Sequence, residues 1–272
     1  MQGSFDKKYL LDEFEKVASD ISKPLSIFII GGGGLAFYGL KEATKDIDVV
    51  VQTPEELNVL KQTLMKLGYS TPGPNLITKA YREMQANEIL ENEDGFRWDI
   101  FVGQVCKALI FSEAMRSRST EIYKKGFLTI FLASKEDIFF FKEVTEREAD
   151  LDDMRLLAES GLNWDIIDQE CQSQSALTGR LWENALYQKL IDLKEKHHIE
   201  TPIEKVIRKR AEEKLIEITL IEEIKKGKNT VREISKAINE PEQFVRKALN
   251  RLATKGKIKI DKTRRPYKYQ LV

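Results

Sequence analysis

Three aspartates lie in apolar segments, where an unpaired acid is costly to bury. Asp46 and Asp48 stand two residues apart in the segment Asp46–Val51, so a β-strand places both carboxylates on one face. Asp99 lies in a later apolar segment, Phe96–Val102. Two carboxylates on one face repel each other unless a cation lies between them. Three such ligands suit Mg²⁺ or Mn²⁺, and a pair of these ions can activate an attacking oxygen and stabilise a leaving phosphate.

A run of glycines, Gly31–Gly34, follows the short apolar segment Ile27–Ile30. The pattern predicts a buried strand, a tight turn and then a short helix over Leu35–Leu40. Backbone N–H groups at such a turn, together with the positive end of the helix, can bind phosphate oxygens.

Two well-known glycine motifs compete for this segment. A P-loop is excluded, because Leu35 and Ala36 follow the glycines where Lys and Ser or Thr are required. A dinucleotide-binding fold is disfavoured, because it needs one ribose-binding acid at the end of the second strand. Here Asp46 and Asp48 open that strand, and such a fold gives no role to Asp99.

The order of these motifs resembles the nucleotidyltransferase superfamily of DNA polymerase beta. The resemblance is greatest to a prokaryotic branch that includes abortive-infection toxins, and it covers roughly residues 25–160. The matching motifs are Ile30-Gly31-Gly32, Thr44-Lys45-Asp46-Ile47-Asp48, Lys142 and Asp150-Leu151-Asp152-Asp153. Two positions depart from the branch: Gly32 replaces a serine that contacts phosphate in many relatives, and Ala149 stands where a basic residue often precedes the acid-rich helix.

The resemblance implies a metal-dependent enzyme that moves a nucleoside monophosphate from an NTP to a hydroxyl on RNA, protein or a small molecule. It also implies a toxin role. The implied catalytic residues, which would bind two Mg²⁺ or Mn²⁺ ions, are Asp46, Asp48 and Asp99. The implied nucleotide-binding residues are Gly31, Gly32, Thr44 and Lys142. For Lys142, a solvent-exposed helix lysine remains an equal alternative.

The net charge of zero hides an asymmetry along the chain. Residues 211–272 contain 16 Lys and Arg against 9 Asp and Glu, so they carry +7, and the remaining residues carry −7. Such asymmetry indicates that one end of the chain meets a polyanion. A merely soluble basic surface is the alternative.

The basic end has the pattern of a winged helix. Thr230-Val231-Arg232-Glu233 is a capping box that begins a helix over Val231–Ile238. A turn leads to a second helix ending near Thr254, with Phe244 among its expected core residues, and then to a hairpin. The residues expected to contact nucleic acid are Gln243, Arg246, Lys247, Asn250, Arg251, Arg264 and Arg265. DNA and tRNA both remain open, as does a role in protein contact or dimerisation that would make the chain a homodimer.

These elements predict an α+β fold: a nucleotidyltransferase mixed-sheet domain with flanking helices, followed by a winged helix-turn-helix domain. The expected domains are residues 1–160, a helical connector over 161–210, and 211–272. Further expected elements are helices over 5–19, 53–68, 134–145, 150–160, 163–200 and 203–226, a strand over 127–132, and hairpin strands within 69–90.

Cys106 and Cys171 form neither a disulfide framework nor a metal-ligand spacing. With no signal peptide and no membrane-spanning run, we expect a cytoplasmic protein without a membrane partner. Two functions follow. The first is the nucleotidyltransferase. The alternative is a DNA-binding transcriptional regulator whose transferase-like domain senses nucleotide or is inactive.

Overall fold

A computed structural model describes residues 4–73, 85–145, 147–263 and 265–272. The chain divides into two compact units, residues 1–204 and residues 205–272. Each unit is described by itself below. The domain boundaries expected at 160 and 210 stay predictions.

The first unit contains a mixed β-sheet. Its strands, in chain order, are β1 (Phe5–Asp6), β2 (Leu25–Ile30), β3 (Ala43–Thr44), β4 (Asp46–Val51), β5 (Glu88–Glu91), β6 (Arg97–Val102), β7 (Gln104–Val105), β8 (Leu109–Ile110), β9 (Thr120–Lys125) and β10 (Leu128–Leu132). Six of them form the main sheet in the order β5-β6-β4-β2-β10-β9. β4 runs parallel to β6 and antiparallel to β2, while β2 runs parallel to β10. The expected α+β class with a mixed sheet is therefore confirmed.

The helices of the first unit lie between these strands and after them in the chain. They are α1 (Lys7–Asp20), α2 (Gly31–Phe37), α3 (Pro54–Lys66), α4 (Glu113–Arg118), α5 (Lys135–Phe141), α6 (Glu148–Glu159), α7 (Trp164–Thr178) and α8 (Trp182–His197), with a 3₁₀ turn over Lys142–Val144. The expected capping box forms at α3, where Thr53 and Glu56 cap each other's backbone. The Ser134 hydroxyl likewise accepts the Asp137 N–H and starts α5.

The central strands are mostly apolar and buried. Ile27 and Ile29 on β2, Val49 on β4, and Trp98 and Ile100 on β6 are all completely buried. These residues share one face of the sheet, and Val50 of β4 and Phe101 of β6 are buried on the other, so both faces are covered. An acid on β4 or β6 is therefore held away from water by the core itself.

The structure differs from the sequence-based expectations in several elements. The glycines form the first turns of α2 rather than a turn before it, and α2 ends at Phe37 instead of Leu40. Residues 163–200 form two helices, separated where Gly179 closes α7 in the left-handed conformation. The edge strand β9 was not predicted, because its mostly exposed side chains lack an apolar alternation. Residues 74–84, part of the expected hairpin, lie outside the described residues.

The second unit is a helix–turn–helix followed by a hairpin. Its elements are α9 (Glu204–Lys225), α10 (Val231–Ile238), α11 (Glu242–Thr254), β11 (Ile258–Asp261) and β12 (Lys268–Leu271). The first residue of α9 belongs to the first unit. β11 and β12 pair antiparallel. Leu220 of α9, Ile234 of α10, Leu249 of α11 and Tyr269 of β12 share one buried core. The expected placement of Phe244 in this core is wrong, because its side chain remains 38% exposed.

Among the described residues, no helix is both long enough and apolar enough to span a bilayer.

Candidate functional site

Strand register brings the three aspartates together in the first unit. In the parallel pair β4 and β6, Asp46 lies opposite Arg97 and Asp48 lies opposite Asp99. Because residues i and i+2 share a face, all four side chains stand on the same side of the sheet. The antiparallel pair of β2 and β4 puts Ile30 opposite Asp48, so the glycine run begins directly beside that carboxylate.

Arg97 supplies a cation within this acidic cluster. Its Nη2 donates to Asp46 Oδ2 at 2.7 Å and lies 3.8 Å from Asp99 Oδ2. The arginine is only 3% exposed, whereas the side chain of Asp46 is 19% exposed, so the ion pair is partly screened from water and salt. Of the three carboxylates, Asp46 is therefore the one already paired with an internal cation at hydrogen-bond distance.

Asp48 and Asp99 are buried with unpaired oxygens. Asp48 Oδ1 and both oxygens of Asp99 accept no hydrogen bond from any residue that the structure describes. Burial and the neighbouring Asp46 carboxylate raise the pKa of Asp48 to about 7. Burial and the charge of Asp48 raise the pKa of Asp99 well above its ordinary range. Binding of a proton or a cation would therefore relieve the electrostatic repulsion between the buried carboxylates of Asp48 and Asp99.

The glycines fit closely against this cluster. Gly31 has φ +62°, and a Cβ there would overlap the Asp48 carboxylate. A Cβ on Gly32 would lie 3.1 Å from the Thr44 hydroxyl. That hydroxyl donates to the Asp46 carbonyl at 2.9 Å and so holds the start of β4. Glycine is thus needed at position 31 for both its backbone conformation and its lack of a side chain.

Lys142 is buried, so the solvent-exposed alternative is wrong. Its Nζ lies 2.7 Å from Asp150 Oδ1 and 2.8 Å from Asp153 Oδ2. Burial lowers the pKa of Lys142, but the two carboxylates outweigh this effect and raise it. Arg147 also donates to Asp150, and Lys41 pairs with Asp153. Nucleotide binding by Lys142 stays a prediction.

A small cavity lies between Gly31 and the charged groups around Lys142. It has a volume of about 30 Å³, and Gly31, Asp48, Lys142, Arg147 and Asp150 are among its lining residues. That space is large enough for a water molecule or a small ion. It is far below the several hundred Å³ of a cavity that encloses an organic ligand.

The three aspartates are the residues at which the sequence predicts a two-ion metal site. No group of three or more His, Cys, Asp or Glu side chains has a metal-binding arrangement in the described ranges. The unpaired oxygens of Asp48 and Asp99 nevertheless fit a divalent cation, because they are hard, buried ligands without a donor. Asp46 differs, since Arg97 already neutralises it. The two-ion site with Asp46, Asp48 and Asp99 stays a prediction.

Two basic residues of this region, Arg97 and Arg147, were not predicted as site residues from the sequence. Arg97 stands two residues before Asp99, so the strand period alone would have put these two side chains on one face. Arg147 precedes α6 and bonds to Asp150, so it provides a cation near the acid-rich helix despite Ala149. The register that gives each its partner is visible only in the fold.

In the second unit, α11 exposes a polar face. Val245, Ala248 and Leu252 are completely buried, whereas the expected contact residues on this helix are exposed. These exposed residues are Gln243, Arg246, Lys247, Asn250 and Arg251. Arg251 donates to Glu213 of α9 at 2.7 Å, while Arg246 and Lys247 have no ion pair in the described part of the chain.

The hairpin adds further basic groups beside α11. A surface cleft of about 730 Å³ has Arg232 of α10, Arg246 of α11, and Arg265 and Tyr267 of the hairpin among its lining residues, together with Glu233 and Glu242. The guanidinium of Arg265 lies 5.9 Å from the Tyr267 ring centroid. Guanidinium groups on a convex helix and an adjoining hairpin suit the phosphates of a nucleic acid backbone. Arg264 lies outside the described residues.

A helix–turn–helix with an adjoining hairpin and a basic outer helix defines a winged-helix domain. Residues 218–272 match a protein-family model described as "Sugar-specific transcriptional regulator TrmB". The match covers about a fifth of the chain and leaves the first unit outside it. A comparison with curated proteins gave no match.

This match decides between the two functions expected from the sequence. It confirms the winged-helix domain and favours the alternative, a DNA-binding transcriptional regulator. The expectation of an enzyme is wrong, because the matching family consists of transcriptional regulators and is not an enzyme family. Nothing in the comparisons supports the nucleotidyltransferase resemblance of the first unit, or its toxin role.

Proposed function

We propose that this chain is a DNA-binding transcriptional regulator that reads DNA with α11 and the β11–β12 hairpin. The observation that carries the proposal is the exposed polar face of α11 within a domain that matches a transcriptional-regulator family. Arg246 and Lys247 on that face have no carboxylate partner among the described residues, so their charges are available to phosphates and bases. DNA is favoured over tRNA because the matching family consists of transcriptional regulators.

The first test is salt-dependent DNA binding by the full chain. Fluorescence anisotropy with a labelled duplex should give a dissociation constant that rises steeply with salt, because bound Lys and Arg release counterions. The double variant Arg246→Ala/Lys247→Ala should bind more weakly. A control variant, Lys23→Ala/Lys66→Ala, removes the same charge from exposed positions of the first unit and should bind as the wild type does. Equal binding by both variants would contradict the proposal.

For the first unit we propose a sensing role: it binds a divalent cation together with the phosphate end of a nucleotide, and this binding changes DNA affinity. Support comes from the unpaired oxygens of Asp48 and Asp99, and from Lys142 and Arg147 beside Gly31. The cation would be held by Asp48 and Asp99 and would neutralise phosphate charge. Because the cavity is only about 30 Å³, the base and ribose would remain outside it.

The sugar specificity in the family's description is not carried over to this chain. The match is confined to residues 218–272, which form the DNA-facing domain and include no part of the first unit. The buried carboxylates and the adjacent Lys142 and Arg147 suit a cation with a phosphate better than an uncharged sugar.

Thermal unfolding with Mg²⁺ or Mn²⁺, with and without each NTP, tests the sensing role. The wild type should be stabilised, because a ligand that binds only the folded state raises stability by mass action. Asp48→Asn should lose the effect, while Asp20→Asn, at an exposed position on α1, should keep it. DNA affinity should change by the roughly 5- to 150-fold that is usual for coupled sites. If no cation or nucleotide stabilises the wild type, the sensing role is wrong. The proposal that the second unit binds DNA does not depend on this result.

A further inference from the structure

Phe244 is an exposed aromatic residue at the start of α11. Its side chain is 38% exposed, although Val245, Ala248 and Leu249 of the same helix are completely buried. Single exposed apolar side chains are common on protein surfaces, so the role of Phe244 depends on where it lies on α11 and on what surrounds it.

The helix geometry shows why Phe244 cannot reach the core. The buried stripe of α11 runs through Val245, Leu249 and Leu252. Phe244 instead shares a stripe with Lys247 and Arg251, at spacings of three and seven residues. Those three residues line one side of a shallow surface cleft of about 650 Å³, together with Asn250, Thr254 and Lys255. The ring therefore stands among polar and basic groups on the face assigned to DNA.

The flank that carries Phe244 is fixed in place. Arg251, one turn further along the same stripe as Lys247, donates to Glu213 of α9 at 2.7 Å. Lys255 pairs with Glu217 of the same helix, and the Glu217 side chain is buried. These contacts tie α11 to α9 on that side, so Phe244 is presented from a rigid element rather than from a mobile loop.

Phe244 also lies near the N-terminus of α11, the end that contacts bases in helix–turn–helix proteins. It is the third residue of α11, which begins at Glu242. In helix–turn–helix proteins the N-terminal residues of the second helix reach the base edges in the major groove. The apolar group that a base edge offers there is the C5-methyl of thymine. Lys247 and Asn250 line the same cleft as the ring, with groups that can bind phosphates or neighbouring bases.

We infer that Phe244 is a specificity-determining residue that packs against a thymine methyl group in the DNA site. This inference rests on the proposed function, because it requires that α11 enters the major groove. A protein partner seated on the same face is the competing occupant. The basic surroundings of the ring favour DNA, since Lys247, which has no ion pair among the described residues, lies on its own stripe.

The experiment begins with the full chain and a pool of random duplexes, from which bound sequences are selected. Each thymine of the selected site is then replaced in turn by deoxyuridine, which removes only the methyl group. At one thymine, the wild type should lose about four-fold in affinity, the effect expected for one buried methyl group at about 0.8 kcal/mol. Phe244→Ala should bind the thymine site more weakly and should be indifferent to deoxyuridine at that position.

Phe127→Ala is the matched control. Phe127 is 53% exposed in the first unit, so this variant removes the same ring from another surface. It should keep the wild-type affinity and the wild-type penalty for deoxyuridine. The inference is overturned if no single deoxyuridine weakens the wild type, or if Phe244→Ala keeps the penalty. If the wild type selects no sequence and shows no salt-dependent binding, the proposed function itself fails.

Discussion

Replacing Lys142 by methionine tests the buried charge network of the first unit. The lysine is 7% exposed, and its Nζ contacts Asp150 and Asp153 at 2.7 and 2.8 Å. Methionine keeps an unbranched side chain of similar length in the same space but removes the positive charge. The two carboxylates, which are almost fully buried, then lose a shared partner.

The size of the effect follows from what remains around the carboxylates. Removing one partner of a buried ion pair costs about 3–5 kcal/mol, because a charge is left without compensation. Here Asp150 keeps Arg147 at 2.8 Å, and Asp153 keeps Lys41. We therefore expect a loss at the low end, about 3 kcal/mol in the free energy of unfolding. With a urea slope of about 2 kcal/mol/M, the midpoint should fall by about 1.5 M.

Urea unfolding followed by tryptophan fluorescence is a suitable assay. Trp98, Trp164 and Trp182 all lie in the first unit, so the signal reports the unit that contains the substitution. Lys124→Met, at an exposed position of β9, is the control and should change stability by less than about 0.5 kcal/mol. A loss below about 1 kcal/mol for Lys142→Met would refute the view that Lys142 holds these carboxylates together.

Three further predictions concern other parts of the molecule. Gly31→Ala should destabilise the first unit by more than Gly39→Ala does. Both glycines have a positive φ, but only a Cβ at position 31 would overlap the Asp48 carboxylate. Urea unfolding measures the difference in stability between the two variants. Arg246→Ala should lower the slope of log affinity against log salt by about one, as expected for one lost phosphate contact, and an unchanged slope would show that Arg246 does not contact the backbone. Burial raises the pKa of Asp150, but Lys142 and Arg147 outweigh this effect and lower it to about 2, below the unfolded value of 3.8. Ionised Asp150 therefore contributes about 2 kcal/mol to the free energy of unfolding. This contribution should be complete above pH 4 and lost as the pH falls towards 2. Asp150→Asn should remove that part of the acid dependence.

Elements with local signals could be predicted closely from the sequence. The capping boxes at Thr53 and Thr230 form as expected, because each joins groups only three residues apart. The strand Asp46–Val51 and the helix Val231–Ile238 also have the expected bounds. The edge strand Thr120–Lys125 was missed, because its pairing with Leu128–Leu132 leaves most of its side chains in solvent.

The site was only partly predictable. The strand period places Asp46 and Asp48 on one face whatever the rest of the chain does. Arg97 becomes the partner of Asp46 only through the register between two strands that lie far apart in the sequence. No local pattern encodes that register, because it depends on which apolar faces the whole sheet buries.

The function was predicted with the wrong emphasis. The glycine, aspartate and lysine motifs of the first unit favoured an enzyme, while the matching family model lies in the second unit and describes transcriptional regulators. A motif states which chemistry its residues could perform, but it does not show that the chain performs it. The winged helix was the more dependable signal, because its caps, turn and hairpin are all specified locally.

The sequence by itself therefore determined the winged helix, its basic character and the shared face of Asp46 and Asp48, since short-range spacing and composition specify each of them. The tertiary structure alone decided that Arg97 neutralises Asp46, that Lys142 is buried between two carboxylates, and that Phe244 remains outside the core. The physical reason is that the burial and charge of a side chain depend on segments distant in sequence, which only the folded chain brings into contact.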